Sequence, residues 1–189
     1  MKKGDFVLIT AGSSSAGLAA IEIVKTEGAI SIVTTRSATK RGELLALGAD
    51  HVIVTDEEDL VARVKHITAG AGTRIIFDPI AGPLLDKLAE AAAPEAIIFQ
   101  YGWLSLAPTP FPLVPALQKA LTVRGYWLAE ITTNPERLAR AKSYVYDRVQ
   151  SGQLKPKIAK AFSFEDVGEA YRYMESNEQI GKIVLTIGN

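Results

Sequence analysis

Phe6 to Thr10 is an unbroken apolar run that passes through Ala11-Gly12-Ser13-Ser14-Ser15-Ala16-Gly17 straight into a helical pattern, Leu18 to Glu27. A continuous apolar strand is one buried on both faces, which requires a parallel sheet covered on both sides. Leu18, Ile21, Ile23 and Val24 form the apolar side of the helix, and Gly28 terminates it. The connection contains only small residues, so strand and helix must approach closely. That single unit restricts the chain to folds in which a buried strand delivers a helix N-terminus to the edge of a sheet.

The remaining sequence continues the alternation. Strands are expected over Ile30–Thr35, His51–Val54, Arg74–Asp78, Ala96–Tyr101 and Leu121–Leu128. Helices are expected from Ser37 to Leu47, from a cap at Asp56 to Thr68, from Pro83 to Ala92, and from Asn134 to Gln150 with Pro135 in its first turn. Leu106 to Pro115 carries several prolines and should be irregular. This order defines an α/β Rossmann fold, a doubly wound six-stranded parallel sheet with helices on both faces, over residues 1–150. Residues 151–189 form a C-terminal extension, extended over Leu154–Phe164, helical over Phe164–Ser176 and extended again over Lys182–Ile187.

Composition narrows the function. Lys+Arg and Asp+Glu both number 21, a balance that argues against nucleic-acid and anionic-membrane binding. There is no cysteine, which removes thiolate nucleophiles, disulfides and cysteine-bound zinc. His51 and His66 lie in different elements without ligand spacing, so no metal is expected. No apolar run reaches the roughly 20 residues of a membrane span. The leading Met1 to Asp5 runs directly into a strand, and a cytoplasmic protein is expected.

A dinucleotide loop needs a small residue for the tight turn, a second where backbone meets pyrophosphate, and a third for close helix packing. Gly12 and Gly17 hold the first and third places, and Ser14 stands at the middle one. The N–H groups of Ser15, Ala16 and Gly17 should face the phosphates with the helix dipole behind them. No Lys-Ser or Lys-Thr follows Gly17, which excludes a Walker-type loop.

An NAD site usually places an acid near the end of strand two to bind the ribose 2′-hydroxyl. Here Thr34 to Arg41 contains none; the first is Glu43. Arg36, Lys40 and Arg41 supply positive charge, and Thr35 and Ser37 supply hydroxyls, a set suited to a 2′-phosphate. NADP(H) is the expected cofactor.

The strings Leu8 to Gly17, Leu47 to Ile53, Ile76 to Pro79 with Ala81-Gly82, and Gly181 to Leu185 resemble the medium-chain dehydrogenase/reductases, in the zinc-independent, zeta-crystallin-like quinone oxidoreductase branch. The resemblance implies that Gly12, Ser14, Ser15, Ala16 and Gly17 contact pyrophosphate, and that Arg36, Ser37, Lys40 and Arg41 surround the 2′-phosphate. Asp78 and Ile80, with Tyr101 and Gly102, lie just past strands four and five on the ligand edge. Asp78 reads equally well as a strand-end cap, and Tyr101 either lines the nicotinamide cleft or covers the sheet. Full-length members carry a preceding GroES-like domain, which the C-terminal tail normally folds back to complete. The chain therefore looks like the cofactor-binding portion alone, with a tail that is poorly supported, packed elsewhere or paired with another chain. The resemblance further implies a homodimer through strand six, Thr122 to Trp127.

No catalytic acid or base stands out. None of the six tyrosines has lysine four residues on, as a short-chain dehydrogenase needs, and the glycine spacing of the loop does not fit a serine hydrolase elbow. Two readings follow. One is the NADPH-binding portion of an oxidoreductase passing hydride to quinones, enones or activated carbonyls. The other is a dinucleotide-binding module without turnover, with a separate catalytic domain as a further partner.

Overall fold

A computed structural model describes residues 1–188; Asn189, the last residue of the expected extension, lies outside the described residues. The first half comprises β1 (Phe6–Ile9), α1 (Ser15–Thr26), β2 (Ile30–Thr35), α2 (Arg41–Ala46), β3 (His51–Val54), α3 (Leu60–Ile67), β4 (Thr73–Asp78) and α4 (Leu84–Ala91). Next come β5 (Ala92–Gln100), α5 (Leu113–Lys119), β6 (Thr122–Gly125), α6 (Ala129–Thr132) and α7 (Pro135–Gln150). The extension holds β7 (Ile158–Ser163), α8 (Val167–Glu175) and β8 (Lys182–Thr186).

Six strands form one sheet in the order β3-β2-β1-β4-β5-β6, with every neighbouring pair parallel. This is the doubly wound Rossmann arrangement that the alternation predicts. Side chains along β1 go alternately to the two faces. Leu8 joins Ile32, Ile53, Val64, Ile76, Leu88 and Ile98 under α3 and α4. Val7 and Ile9 join Leu18, Ile21, Val24, Val33 and Leu44 under α1 and α2. Both faces are therefore dry, and complete burial of each large aliphatic side chain contributes roughly 1.5–3 kcal/mol.

Several boundaries differ from the sequence reading, each for a local reason. The cap of α3 is Asp59, whose Oδ1 accepts the Ala62 N–H at 2.8 Å. Asp56 belongs to the preceding turn, where the N–H groups of Glu57 and Glu58 close on the Val54 carbonyl. With acids at four consecutive positions, 56–59, the sequence alone does not single out the capping one. β5 starts at Ala92 and carries Pro94 through a register irregularity, where Glu95 takes φ 57°. A bulge is where a strand tolerates proline. The proline-rich stretch is irregular only to Pro112; α5 admits Pro115 in its first turn, where a missing N–H costs nothing.

The outermost strand β6 ends at Gly125, well short of Leu128. Tyr126 donates to the Gln100 carbonyl at 2.9 Å, and the chain then turns into α6, leaving Trp127 77% exposed. β7 and β8 pair with each other in parallel and form a separate two-stranded sheet. No helix among the described residues is long and apolar enough to cross a membrane.

Candidate functional site

In this strand order the chain reverses direction between β1 and β4, and ligands of open α/β sheets bind at that switch, beyond the carboxyl ends of the strands. Three groups of expected site residues meet that edge: the β1–α1 loop, the end of β2, and the ends of β4 and β5.

The loop is built by close packing. A Cβ on Gly12 would stand 1.9 Å from Val33 Cγ1, and one on Gly17 would stand 2.7 Å from the carbonyl oxygens of Ala11 and Gly12. The glycines thus seat the loop on β2 and α1 on the loop. Ser14 is the N-cap of α1, its Oγ accepting the Gly17 N–H at 3.0 Å. Of the three N–H groups expected to face phosphate, Gly17 is therefore engaged by Ser14, while Ser15 and Ala16 stand exposed at the helix start. An N-capping hydroxyl keeps its own proton for another acceptor. No acid lies in the first turn of α1, so its positive dipole end carries no built-in counter-charge.

Beyond β2, Ser37 caps a 3-10 turn over Ala38–Lys40, its Oγ accepting from Thr39 N–H at 3.3 Å. Arg36 is exposed, with no hydrogen bond or ion pair among the described residues. Lys40 is half-buried. Its ammonium donates to Ser13 Oγ at 3.2 Å, to the Gln179 carbonyl at 3.1 Å and to the Asn177 carbonyl. Burial, and secondly the nearby Arg36 cation, push its pKa below the ordinary lysine value. Arg41 faces other partners: it donates to the Val52 carbonyl at 3.1 Å and pairs with Glu58. Glu58 also pairs with Arg63 at 2.8 Å. The N–H of Val54, with these two guanidinium groups, holds the Glu58 carboxyl below the usual range despite partial desolvation. Arg41 thus braces α2 to β3 and the following turn.

At the third group, Asp78 is completely buried. Its carboxylate accepts from Thr10 Oγ1, from Ala81 N–H at 2.8 Å and from Gln100 Nε2 at 2.9 Å. Of the two roles the sequence leaves open for Asp78, this geometry performs the cap, joining the tips of β1, β4 and β5. Tyr101 stacks on Phe77, with ring centroids 4.0 Å apart and planes 20° apart. Its hydroxyl is buried without a partner among the described residues, and burial, followed by the Asp78 charge, pushes its pKa up. Ile80 is partly exposed, and its carbonyl accepts Ser105 N–H at 2.9 Å. Gly102 lies against Pro79, whose carbonyl oxygen would be 2.9 Å from an added Cβ. Gly82 N–H donates to Thr109 Oγ1 at 3.0 Å, folding the proline-rich segment onto the same edge.

The contribution of the tail was not legible in the sequence. Gly181 forms an isolated parallel bridge with Ser14 and donates to the Ser13 carbonyl at 3.0 Å. Its φ of +112°, and a Lys157 carbonyl 2.6 Å from where a Cβ would be, require glycine there. Gly181 was recognisable as part of a motif, but nothing local to it names the loop as its partner.

Fold and site geometry together define an α/β domain of the Rossmann type. The zinc-binding dehydrogenase family matches residues 47–185, and the chain belongs to that family. It is 28% identical over 187 residues to a 2-haloacrylate reductase of a Burkholderia species, covering 98% of this chain and 56% of that protein. The structure of Escherichia coli quinone oxidoreductase complexed with NADPH superimposes with a TM-score of 0.90 at 29% identity, over 98% of this chain and 58% of that one. A 2-haloacrylate reductase structure gives 0.87 at 27% identity, over 96% and 57%. The chain thus spans a little over half the length of these relatives. The zinc of the family's name finds no fitting ligand set here. The chain has no cysteine, and no group of three or more potential ligands assembles among the described residues.

Proposed function

We propose that the chain is the NADPH-holding portion of an oxidoreductase that passes hydride to a quinone, an enone or a similarly activated carbonyl compound. The observation that carries this reading is one corner of the sheet edge. There the uncompensated N-terminus of α1 and the exposed Arg36, unpaired among the described residues, follow the carboxyl ends of the neighbouring strands β1 and β2, and no acid occupies the end of β2. Pyrophosphate would lie over Ser15 and Ala16, with the Ser14 hydroxyl as a further donor. Arg36 and Ser37 would take the 2′-phosphate, and Lys40 adds positive charge to the same corner. A bound NADPH would supply the hydride. Tyr101 with Phe77 and Ile80 would form the wall at the nicotinamide end, and Asp78 would hold that wall in place. The relatives named above act, by their names, on quinones and on a haloacrylate, and an electron-poor double bond is the chemistry these have in common.

A second reading rests on a different observation. Trp103, Leu104, Leu106, Phe111 and Leu117 are each at least 60% exposed. Large exposed apolar side chains concentrated in one segment of the chain favour an interface. It suits a catalytic domain, on this chain or another, without which the portion described here would bind cofactor and not turn it over. The short open edge of β6 suits a second copy of the chain.

Titration with NADPH and NADH, followed by turnover with a quinone and an acrylate, separates the readings. NADPH binding with turnover supports the enzyme, and NADPH binding without turnover supports the module. Binding of neither nucleotide overturns both.

A further inference from the structure

We infer that the buried charge of Asp78 favours the oxidised, cationic form of a bound nicotinamide nucleotide over the reduced, neutral form, and so makes the reduced nucleotide a stronger hydride donor. This rests on the dinucleotide reading above and adds an electrostatic role to the structural one of Asp78. The carboxylate is completely buried, and no lysine, arginine or histidine forms an ion pair with it among the described residues. Its partners are neutral donors: Thr10 Oγ1, the Ala81 N–H at 2.8 Å and Gln100 Nε2 at 2.9 Å. Such bonds hold a carboxylate in place without cancelling its charge. Gln100 Oε1, on the amide that meets Asp78, is also buried with no donor among the described residues. Two electronegative groups at the tips of β4 and β5 therefore stand without a cation.

The neighbouring loops offer nothing to offset them. Residues 10–17, 79–82 and 100–112, at the carboxyl ends of β1, β4 and β5, contain no Asp, Glu, Lys, Arg or His. Arg124, on the edge strand β6, is paired with Glu130 at 2.7 Å. The field of Asp78 extends to Tyr101, whose hydroxyl pKa is raised first by burial and then by that charge. When hydride passes from the reduced ring to the acceptor, the ring gains one positive charge, and a solvent proton completes the reduced product. The phosphates and the positive end of α1 act on both forms alike, so only the ring distinguishes them. Two unit charges about 10 Å apart at an effective dielectric of about 20 alter an equilibrium roughly tenfold.

Titration of NADP+ and NADPH into wild type, Asp78→Asn, Gln100→Lys and Arg36→Ala tests this. Asp78→Asn should weaken NADP+ relative to NADPH by about tenfold, which raises the potential of the bound couple by about 30 mV. Gln100→Lys keeps the carboxylate and brings an ammonium to the position from which Gln100 Nε2 now meets it. It should lower the same ratio in the same direction. Arg36→Ala should weaken both forms alike and leave their ratio within about twofold of wild type, because the 2′-phosphate is common to them. A purely structural Asp78 would weaken both forms alike as well. An unchanged ratio in Asp78→Asn therefore overturns the inference, and should that variant not fold, Gln100→Lys decides on the same criterion. If the wild-type chain binds neither form, the dinucleotide reading fails and this inference with it; binding of both with an unchanged ratio in the variants sinks this inference alone.

Discussion

Thr10 Oγ1 donates to the completely buried carboxylate of Asp78, and this one bond joins the tips of the two strands that flank the switch point of the sheet. Asp78→Ala would leave Thr10, the Ala81 N–H and Gln100 Nε2 without that acceptor. A buried donor left unsatisfied costs about 1–3 kcal/mol. Asp78→Ala should therefore destabilise the fold by roughly 3 kcal/mol or more in urea titration, and Asp78→Asn by less. A change under about 0.5 kcal/mol would show that Asp78 does not tie the strand tips.

Ser14 presents a trade-off between helix and ligand. Ser14→Ala removes the α1 cap and should cost about 1 kcal/mol; Ser14→Gly should cost only a few tenths. Glycine also releases the Gly17 N–H toward the loop. Thermal melting should rank the three proteins wild type, Gly, Ala, and NADPH affinity should fall in both variants, since each lacks the Ser14 hydroxyl.

Arg36→Ala should weaken NADPH by about tenfold or more while leaving NADH nearly unchanged, since a charge-assisted bond to phosphate is worth about 1.5–3 kcal/mol. Calorimetric titration of both nucleotides measures this. Equal losses for the two would remove Arg36 from the 2′-phosphate.

Gly12→Ala places a methyl group 1.9 Å from Val33 Cγ1 and 3.2 Å from the Thr34 carbonyl. Overpacking of this kind costs typically about 1–3 kcal/mol. Because the nearest obstacle is a side chain, Gly12→Ala combined with Val33→Ala should be more stable than the sum of the single changes predicts. Strict additivity in denaturant melts would place the strain in the backbone instead.

Glu58 should govern part of the acid sensitivity. Its carboxyl is held below the ordinary value of 4.5, so its stabilisation is fully present above that pH and is lost as pH falls through the depressed folded value. Glu58→Gln should flatten the loss of stability below pH 4.5 while lowering stability at neutral pH. An unchanged acid limb would exclude it.

Much of the framework was legible because periodicity reports burial. The β1–α1 unit, the alternation of strands and helices, and the extended–helix–extended order of the tail all lie where pattern predicts them. Ends were less legible wherever neighbours compete for one job, as at Asp56 and Asp59, or where a bulge lets a strand pass a proline, as at Pro94. In the candidate site, the loop glycines and the exposed Arg36 were apparent from residue type. The duties of Lys40, Arg41 and Asp78 were not, since each side chain faces partners that come from elsewhere in the fold.

The sequence by itself determined the buried first strand, the small-residue loop and the helix behind it, because an apolar run and a 3.6-residue period specify which faces leave water whatever lies beyond. Only the tertiary structure decided what the basic residues after β2 do. Arg41 meets Glu58, Lys40 meets carbonyls 137 and 139 positions away, and Arg36 alone is left to solvent. A long flexible cation takes whichever acceptors the folded chain brings within reach, and no local pattern records those.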